Sequence, residues 1–185
     1  MIVYSLLICT KLISRERGFF MTKQSVTNVK KLNILLFSCD YDKALAALIL
    51  ANTARSINLA VTIFCAFWGL CLIRDPDTFS LEEKSNLEKA FGLMTAKGPD
   101  ELPLSRMNMS GLGKMMLEKM MGEDKTPHLF DFLKEARDKG VRFYACKLSA
   151  ETMGIKKEEL LPEVEIMTAE DYLKDALSAE IKLFI

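Results

Sequence analysis

Two uncharged runs of strand length, separated by one helical segment, constrain the fold of this chain more than any other feature. Residues 32–38 (Leu-Asn-Ile-Leu-Leu-Phe-Ser) and 59–67 (Leu-Ala-Val-Thr-Ile-Phe-Cys-Ala-Phe) are mostly apolar, a pattern typical of strands buried on both faces of a parallel sheet. Residues 43–57 between them carry apolar side chains at 44, 45, 48, 49, 51 and 54, which predicts an amphipathic helix. A strand, a helix and a strand in close order imply a right-handed parallel crossover.

The rest of the chain repeats this alternation of helices and short apolar segments. Ser80 and Glu83 fit a capping box, and Ser110, Thr126 and Thr168 are placed to begin further helices. The predicted helices are 81–91, 110–121, 126–138 and 169–178, and the further predicted strands are 141–145, 164–167 and 181–185. We therefore predict an α/β fold with three layers and a mostly parallel sheet of about five strands.

Composition and charge exclude several classes of protein. The 185 residues are enough for one domain, and 25 basic residues balance 25 acidic ones, so bulk charge does not attract nucleic acid. The five cysteines form no Cys-x-x-Cys pair, and the chain has one histidine. We therefore expect no metal site, no disulfide framework and reduced thiols in the cytoplasm. Without a phosphate-binding or dinucleotide-binding glycine pattern, we also expect no cofactor.

The first residues form a segment of their own in the sequence. Residues 2–13 are uncharged except for one lysine, and this run is shorter than the roughly 20 residues that cross a bilayer. Its positive charges follow the apolar run, whereas a signal peptide carries them before it. We hypothesise that translation starts at Met21, since residues 15–18 can be encoded by a purine run of the ribosome-binding type. We expect residues 1–27 to be a mis-assigned or disordered extension of one domain over 28–185.

Cys146 ends a short apolar run and precedes a short predicted helix. Residues 141–145 predict a strand, and Ser149 is placed to cap the helix that follows. Ligands collect at the carboxyl ends of strands in open α/β sheets. A helix N-terminus there favours a thiolate, as does the charge of Lys147. The alternative is that Cys146 is a small buried hydrophobic side chain.

Other candidate site residues follow the first two predicted strands. Asp42 and Lys43 come after the first strand, although helix capping explains Asp42 and its neighbour Asp40 equally well. Trp68 and Gly69 come directly after the second strand. All of these positions belong to the edge of the sheet that holds the carboxyl ends of its strands.

Methionines are concentrated in one segment between residues 107 and 121. Such a cluster forms a soft, adaptable apolar surface, which could line a pocket, cover the sheet edge or meet a partner. Core packing explains any single one of them. The members are Met107, Met109, Met115, Met116, Met120 and Met121.

Several motifs occur in one order along the chain. They are Asp42-Lys43-Ala44, Thr62-Ile63-Phe64, Phe67-Trp68-Gly69-Leu70, Arg106–Gly113, Ala145-Cys146 with Leu148-Ser149, Met153-Gly154-Ile155 and Leu183-Phe184-Ile185. Together they resemble the DsrE/DsrF-like family of small sulfur-relay proteins, in its branch named peroxiredoxin-like. The resemblance covers nearly everything from Lys31 to Ile185. No peroxidatic Thr-x-x-Cys pattern with a supporting arginine accompanies it.

The resemblance implies a homo-oligomeric α/β protein in which Cys146 carries sulfur as a persulfide. The thiolate would take a sulfane sulfur from a donor and pass it to an acceptor thiol. Cys39, at the end of the first strand, could lie along one sheet edge with Cys146, and we hypothesise that it is a second acceptor or resolving thiol. Cys71 departs from the family pattern, where a polar residue is more usual. The residues expected to line the site are Asp42, Lys43, Phe67, Trp68, Gly69, Met109, Lys147 and Ser149.

Three functions compete at this stage. The leading hypothesis is a cytoplasmic sulfur carrier or sulfurtransferase. Its partners would be sulfur donor and acceptor proteins or small sulfur species. The second is a non-catalytic binding or regulatory subunit that docks a redox or sulfur-metabolism partner through the methionine-rich segment. The third, a membrane-associated accessory, is disfavoured by the Met21 hypothesis, and we expect no contact with membrane or nucleic acid.

Overall fold

The structure is a computed structural model that describes residues 30–185. The predictions for residues 1–27, including a start at Met21, lie outside the described residues. Within 30–185, no helix has the length and apolar character that crossing a membrane requires.

Five parallel strands form one sheet in the order β4-β3-β2-β1-β5. This confirms the predicted α/β fold and its parallel sheet. The strands are β1 (Lys31–Leu36), β2 (Ala60–Cys65), β3 (Arg142–Cys146), β4 (Glu165–Met167) and β5 (Ile181–Phe184). The helices are α1 (Tyr41–Ser56), α2 (Asn86–Met94), α3 (Leu112–Glu123), α4 (Leu129–Asp138), α5 (Lys147–Met153) and α6 (Ala169–Leu177). Short 3-10 helices cover Phe67–Ile73, Pro76–Thr78, Pro99–Glu101, Met109–Gly111 and Lys157–Glu159.

The sheet separates a large apolar core from a smaller one because alternate side chains of a strand point to opposite faces. Ile34 and Ile63 belong to the large core, into which α1 packs a row of buried alanines and Leu48. On the opposite face, Phe64 stacks on Tyr172 of α6, with ring centroids 4.4 Å apart. We call the first face the core face and the second the α6 face.

Several helix starts differ from the predictions. Helix α4 begins at Leu129 with His128 at its N-cap, so Thr126 does not cap it. Helix α2 begins at Asn86 because the capping box is formed by Ser85 and Glu88, whose side chains each accept a hydrogen bond from the other's backbone N–H. The predicted box fails because Ser80 closes a local turn instead. Helix α3 begins after Gly111, which has a φ of 94°, and Ser110 is left-handed rather than a cap. Thr168 caps α6 as predicted.

The long segment between β2 and α3, residues 66–111, is here called the excursion. A buried ionic cluster joins it to the rest of the domain. Glu159 lies between two buried cations, Arg74 (3.2 Å) and Lys84, and the three side chains are 1–3% exposed. Arg74 also donates to Thr95 Oγ1 at 3.0 Å and to the carbonyl oxygen of Ala96 at 3.1 Å. The one guanidinium therefore joins the end of the 3-10 helix after β2 to the loop that follows α2.

Asp42 anchors the far end of the same excursion. Its two carboxylate oxygens accept hydrogen bonds from the N–H (2.8 Å) and the hydroxyl (2.6 Å) of Ser105. The predicted capping of α1 is wrong, since Asp40 makes no side-chain cap bond and instead pairs with Lys43 at 2.7 Å. Burial raises the pKa of Asp42, but the hydrogen bonds from Ser105 outweigh it and hold the pKa below the ordinary value.

Replacing Glu159 with glutamine should destabilise the protein strongly. The substitution leaves two buried cations without a counter-charge, which costs about 3–5 kcal/mol of the free energy of unfolding. Chemical denaturation of the full chain measures this. Glu163→Gln is the matched control, because its ion pair with Arg137 is one-third or more exposed and is worth less than about 1 kcal/mol. Equal losses for both variants would contradict the role of the cluster.

The anchor at Asp42 should give the stability a dependence on acid pH. A carboxylate whose pKa is lowered by folding stabilises the folded state above its unfolded pKa, about 3.8, and loses this contribution as the pH falls through the lowered folded value. Asp42→Asn should therefore cost about 1 kcal/mol at pH 7, since the group is partly exposed. The difference from wild type should vanish in denaturation curves near pH 2–3. A difference that persists there would contradict the assignment.

Candidate functional site

Cys146 is the last residue of β3 and the N-cap of α5. Its side chain is 8% exposed. The first-turn amides of α5 have no side-chain cap acceptor, so a sulfur anion at Cys146 lies next to donors that can bind it. The helix starts at Lys147 because the strand runs directly into it. Ser149 is therefore an internal helix residue and does not cap α5 as predicted.

The surroundings of Cys146 are apolar and lie on the α6 face. Phe64 and Ala66 form a buried cluster with Cys146. Around this cluster pack the partly buried side chains of Leu35, Tyr144, Met167 and Tyr172. An apolar wall of this kind limits the access of water to the sulfur atom.

The two polar candidates beside Cys146 have different environments. Lys147 is more than half exposed, and its ammonium lies 3.9 Å from the carboxylate of Glu151, so its charge is shared with that group. Ser149 is fully buried, and its Oγ has no hydrogen-bond partner within the part of the chain that the structure describes. Its hydroxyl, in the first turn of α5, is therefore able to donate a hydrogen bond that no acceptor in the described residues receives.

Gly69 holds the 3-10 helix after β2 against the end of β1. Its N–H donates to the carbonyl oxygen of Phe37 at 3.0 Å, and the preceding Ala66 N–H donates to the carbonyl oxygen of Leu36 at 2.9 Å. A Cβ atom at position 69 would overlap that same oxygen of Leu36. Only glycine permits this approach, which explains why the segment needs it.

Phe67 and Trp68 lie on different sides of this junction. The ring of Phe67 packs on Phe37 (centroids 5.5 Å apart), and Phe37 in turn stacks on Phe184 (6.1 Å). Trp68 packs on Phe91 of α2 at 5.6 Å and lines a cavity of 330 Å³. The structure thus places the two aromatic candidates at separate surfaces.

Cys39 shares a cavity with a thiol other than Cys146. Its side chain packs against the core cluster that contains Cys71, and both cysteines line the cavity beside Trp68. Cys146 belongs to the cluster on the α6 face. Sequence reasoning noticed Cys71 only as a departure from the family pattern. The signal that could have found the pair is that both thiols follow adjacent strands.

The remaining candidates occupy the surface. Met109 is 66% exposed and belongs to neither apolar cluster. Its segment has a left-handed backbone at three non-glycine residues, Met107, Met109 and Ser110. Asp42 and Lys43 make the contacts already described at the start of α1. No group of three or more histidine, cysteine or carboxylate side chains with the spacing of a metal site occurs in residues 30–185.

The comparisons with known proteins agree with this architecture. A Bacillus subtilis protein described as uncharacterized protein YrkE is 37% identical over 165 residues, which is 89% of this chain and all of that protein. The Allochromatium vinosum protein named sulfur carrier protein DsrE2 is 24% identical over 156 residues, 84% of this chain and 98% of that one.

A solved structure and a family model complete the comparison. The crystal structure of the ychN protein from E. coli superposes with a TM-score of 0.50 at 16% identity, covering 84% of this chain and 99% of that chain, which shows a shared fold. The family model described as DsrE/DsrF/DrsH-like matches residues 28–184. On this match, which spans nearly the whole described domain, the chain belongs to the DsrE/DsrF/DrsH-like family.

Proposed function

We propose that this protein carries sulfane sulfur on Cys146 as a persulfide and delivers it to an acceptor thiol. Membership of the family supports a role in sulfur relay, and the name of the A. vinosum relative is that of a sulfur carrier. The observation that carries the proposal is the position of Cys146. Its thiol stands at the carboxyl edge of a parallel sheet, at the N-cap of a helix and within an apolar cluster.

The transfer needs no net oxidation or reduction. The thiolate of Cys146 attacks the outer sulfur of a donor persulfide, forming Cys146–S–SH and releasing the donor thiol. An acceptor thiolate then attacks the same outer sulfur, so that the sulfur leaves and Cys146 returns as a thiolate. The donor and acceptor are proteins or small molecules that present a thiol or a sulfane sulfur.

The surroundings of Cys146 suit each step of this transfer. The first-turn amides of α5 can hydrogen-bond the anion before attack and the terminal sulfur afterwards. The buried hydroxyl of Ser149 is a further donor in the same turn. Phe64 and Ala66 keep water from the persulfide, which limits its hydrolysis and exchange. Free thiols at Cys39, Cys65, Cys71 and Cys146 suit the reducing cytoplasm that we propose as its location.

A second copy of the chain is the partner that we propose for the α6 face. Phe37 stacks there on Phe184 and makes a tilted ring contact with Phe67. The three rings are 39% (Phe37), 41% (Phe67) and 72% (Phe184) exposed. A contiguous aromatic surface of this kind is typical of an interface between proteins.

A role as a docking subunit is the second candidate function. Five methionines in the 107–121 segment are 57–78% exposed, although methionine is an apolar side chain that proteins bury when they can. The surface that they form on and before α3 is adaptable and could receive a redox or sulfur-metabolism partner. This role is compatible with sulfur transfer, because a carrier must meet both its donor and its acceptor.

Sulfur loading of Cys146 is the direct test of the proposed function. The reduced full chain is incubated with thiosulfate, tetrathionate or polysulfide, then digested with trypsin, which releases the peptide 143–147 between Arg142 and Lys147. We expect this peptide to gain one sulfur atom from thiosulfate or polysulfide and a thiosulfate group from tetrathionate, and to lose the added group when an acceptor thiol is present. The gain should disappear in Cys146→Ala and remain in Cys65→Ala, whose thiol is buried in the core. An unmodified 143–147 peptide with all three donors would refute the proposal.

Replacing Phe184 with serine should weaken self-association. The substitution removes the most exposed ring of the aromatic patch, and light scattering coupled to size exclusion should report a lower molar mass than for wild type at equal concentration. Met94→Ser, on α2, is the control, because Met94 is 88% exposed but lies away from this patch. A wild-type protein that is monomeric, or a Phe184→Ser variant of unchanged mass, would contradict the proposed interface.

A further inference from the structure

Two thiols that the proposed sulfur carrier does not use line one cavity. Cys39 follows β1 and Cys71 lies in the 3-10 helix after β2. Both line the same cavity, and Cys39 packs against the core cluster that contains Cys71. Cysteines in apolar cores usually pack singly against carbon. A pair of facing thiols can instead undergo two-electron chemistry, because two S–H groups can close to one S–S bond.

The backbone brings the two cysteines to one cavity. The hydrogen bond from Gly69 N–H to Phe37 O joins the two segments. Cys39 lies two residues after Phe37, and Cys71 lies two residues after Gly69. The absence of a side chain at Gly69 lets the segments approach until its Cα region meets Leu36. Main-chain geometry at the sheet edge therefore brings the backbones of Cys39 and Cys71 to the same cavity.

A cavity gives access to this pair. It has a volume of 330 Å³, and both cysteines line it together with Trp68, Met94, Thr95, Ala96, Glu101 and Pro103. Cys39 is partly exposed whereas Cys71 is fully buried, so a molecule that enters the cavity meets Cys39 first. The hydrogen bonds of Arg74 to Thr95 and Ala96 fix the wall opposite the thiols. The size suits a small molecule or the end of one.

Neighbouring charges and burial favour a pair in which Cys71 loses its proton before Cys39 does. The hydrogen bond from Cys39 lowers the pKa of Cys71, and the nearby Arg74 charge acts in the same direction against the effect of burial. That same hydrogen bond, together with burial and the Cys71 charge, raises the pKa of Cys39. The first proton is therefore lost more readily than from an isolated buried thiol, and the second is retained.

We propose that Cys39 and Cys71 form a redox-active dithiol that reduces the sulfane sulfur of a small persulfide to sulfide and closes to a disulfide. This activity goes beyond the carrier function of Cys146 and uses neither its thiol nor its face of the sheet. The substrate class is a low-molecular-weight persulfide, R–S–SH, whose terminal sulfur enters the cavity.

The reaction balances in two steps. The Cys71 thiolate takes the proton of Cys39 as Cys39 attacks the terminal sulfur of R–S–SH. This forms Cys39–S–SH and releases the thiolate R–S⁻, which takes a proton from solvent. Cys71 then attacks the Cys39 sulfur, which breaks the bond to the terminal sulfur and releases it as H₂S with the proton from Cys71. The two cysteines are oxidised by two electrons and the sulfane sulfur is reduced to sulfide. An external dithiol, dithiothreitol in the laboratory, reopens the disulfide.

The test combines sulfide release with mapping of the disulfide. The reduced full chain carrying Cys65→Ala is treated with glutathione persulfide, alkylated and digested, because this substitution leaves Cys71 as the one cysteine of tryptic peptide 56–74. We expect a cross-link between that peptide and peptide 32–43, which contains Cys39, and one sulfide for each cross-link. Dithiothreitol should restore both thiols to alkylation.

Three variants in the same background separate the steps. Cys71→Ser should hold one extra sulfur on the Cys39 peptide and reduce sulfide release to the level without protein. Cys39→Ser should give neither the adduct nor the release. Cys146→Ser should retain the cross-link and the sulfide, which separates this proposal from the carrier function. Thermal unfolding confirms that each variant is folded, and Cys39→Ser, at a partly exposed site, serves as the decisive variant if Cys71→Ser unfolds.

Two results would overturn the proposal. One is that Cys39 and Cys71 both remain open to alkylation after treatment with the persulfide. The other is that folded Cys39→Ser releases as much sulfide as the parent protein, because the sulfide would then come from another source in the sample.

Discussion

The close approach of Gly69 to the end of β1 fixes the edge of the sheet on which the chemistry depends. A main-chain hydrogen bond to Phe37 and the lack of a Cβ atom hold the 3-10 helix after β2 directly over the strand end. This one junction sets the positions of side chains on both faces. Ala66 enters the cluster around Cys146, while Cys71, further along the same segment, lines one cavity with Cys39. A single backbone contact thus positions one neighbour of Cys146 and one member of the cysteine pair.

The alternation of side chains along parallel strands then keeps the two groups apart. Cys146 shares its face with Phe64, and Cys39 packs against the opposite, larger core. In the proposed scheme, a persulfide on Cys146 and the Cys39–Cys71 pair therefore belong to opposite faces of the sheet. Transfer of sulfur without redox change and its reduction to sulfide are then assigned to separate groups of one domain.

The sequence predicted the parts of the structure that burial dictates. Apolar runs of strand length gave β1, β2 and β3 close to their observed bounds, because a strand covered on both faces must be apolar throughout. Thr168 also predicted the start of α6 correctly. The excursion was predicted less well, since Ser80 and Ser85 both offer a cap and only tertiary contacts decide between them. The Cys39–Cys71 pair escaped prediction because it depends on the path of a loop and a 3-10 helix, which carry no periodic signal.

Charge links the buried ionic cluster to the redox behaviour of the dithiol. Arg74 and Lys84 share a single carboxylate, Glu159, so the cluster itself has one cation in excess. The charge of Arg74 lowers the pKa of Cys71, so a thiolate there would offset part of that excess. In the proposed reaction, closure to a disulfide would remove this negative charge. On the same proposal, the guanidinium that binds the loop at the cavity wall also favours the thiolate form of the pair over the disulfide.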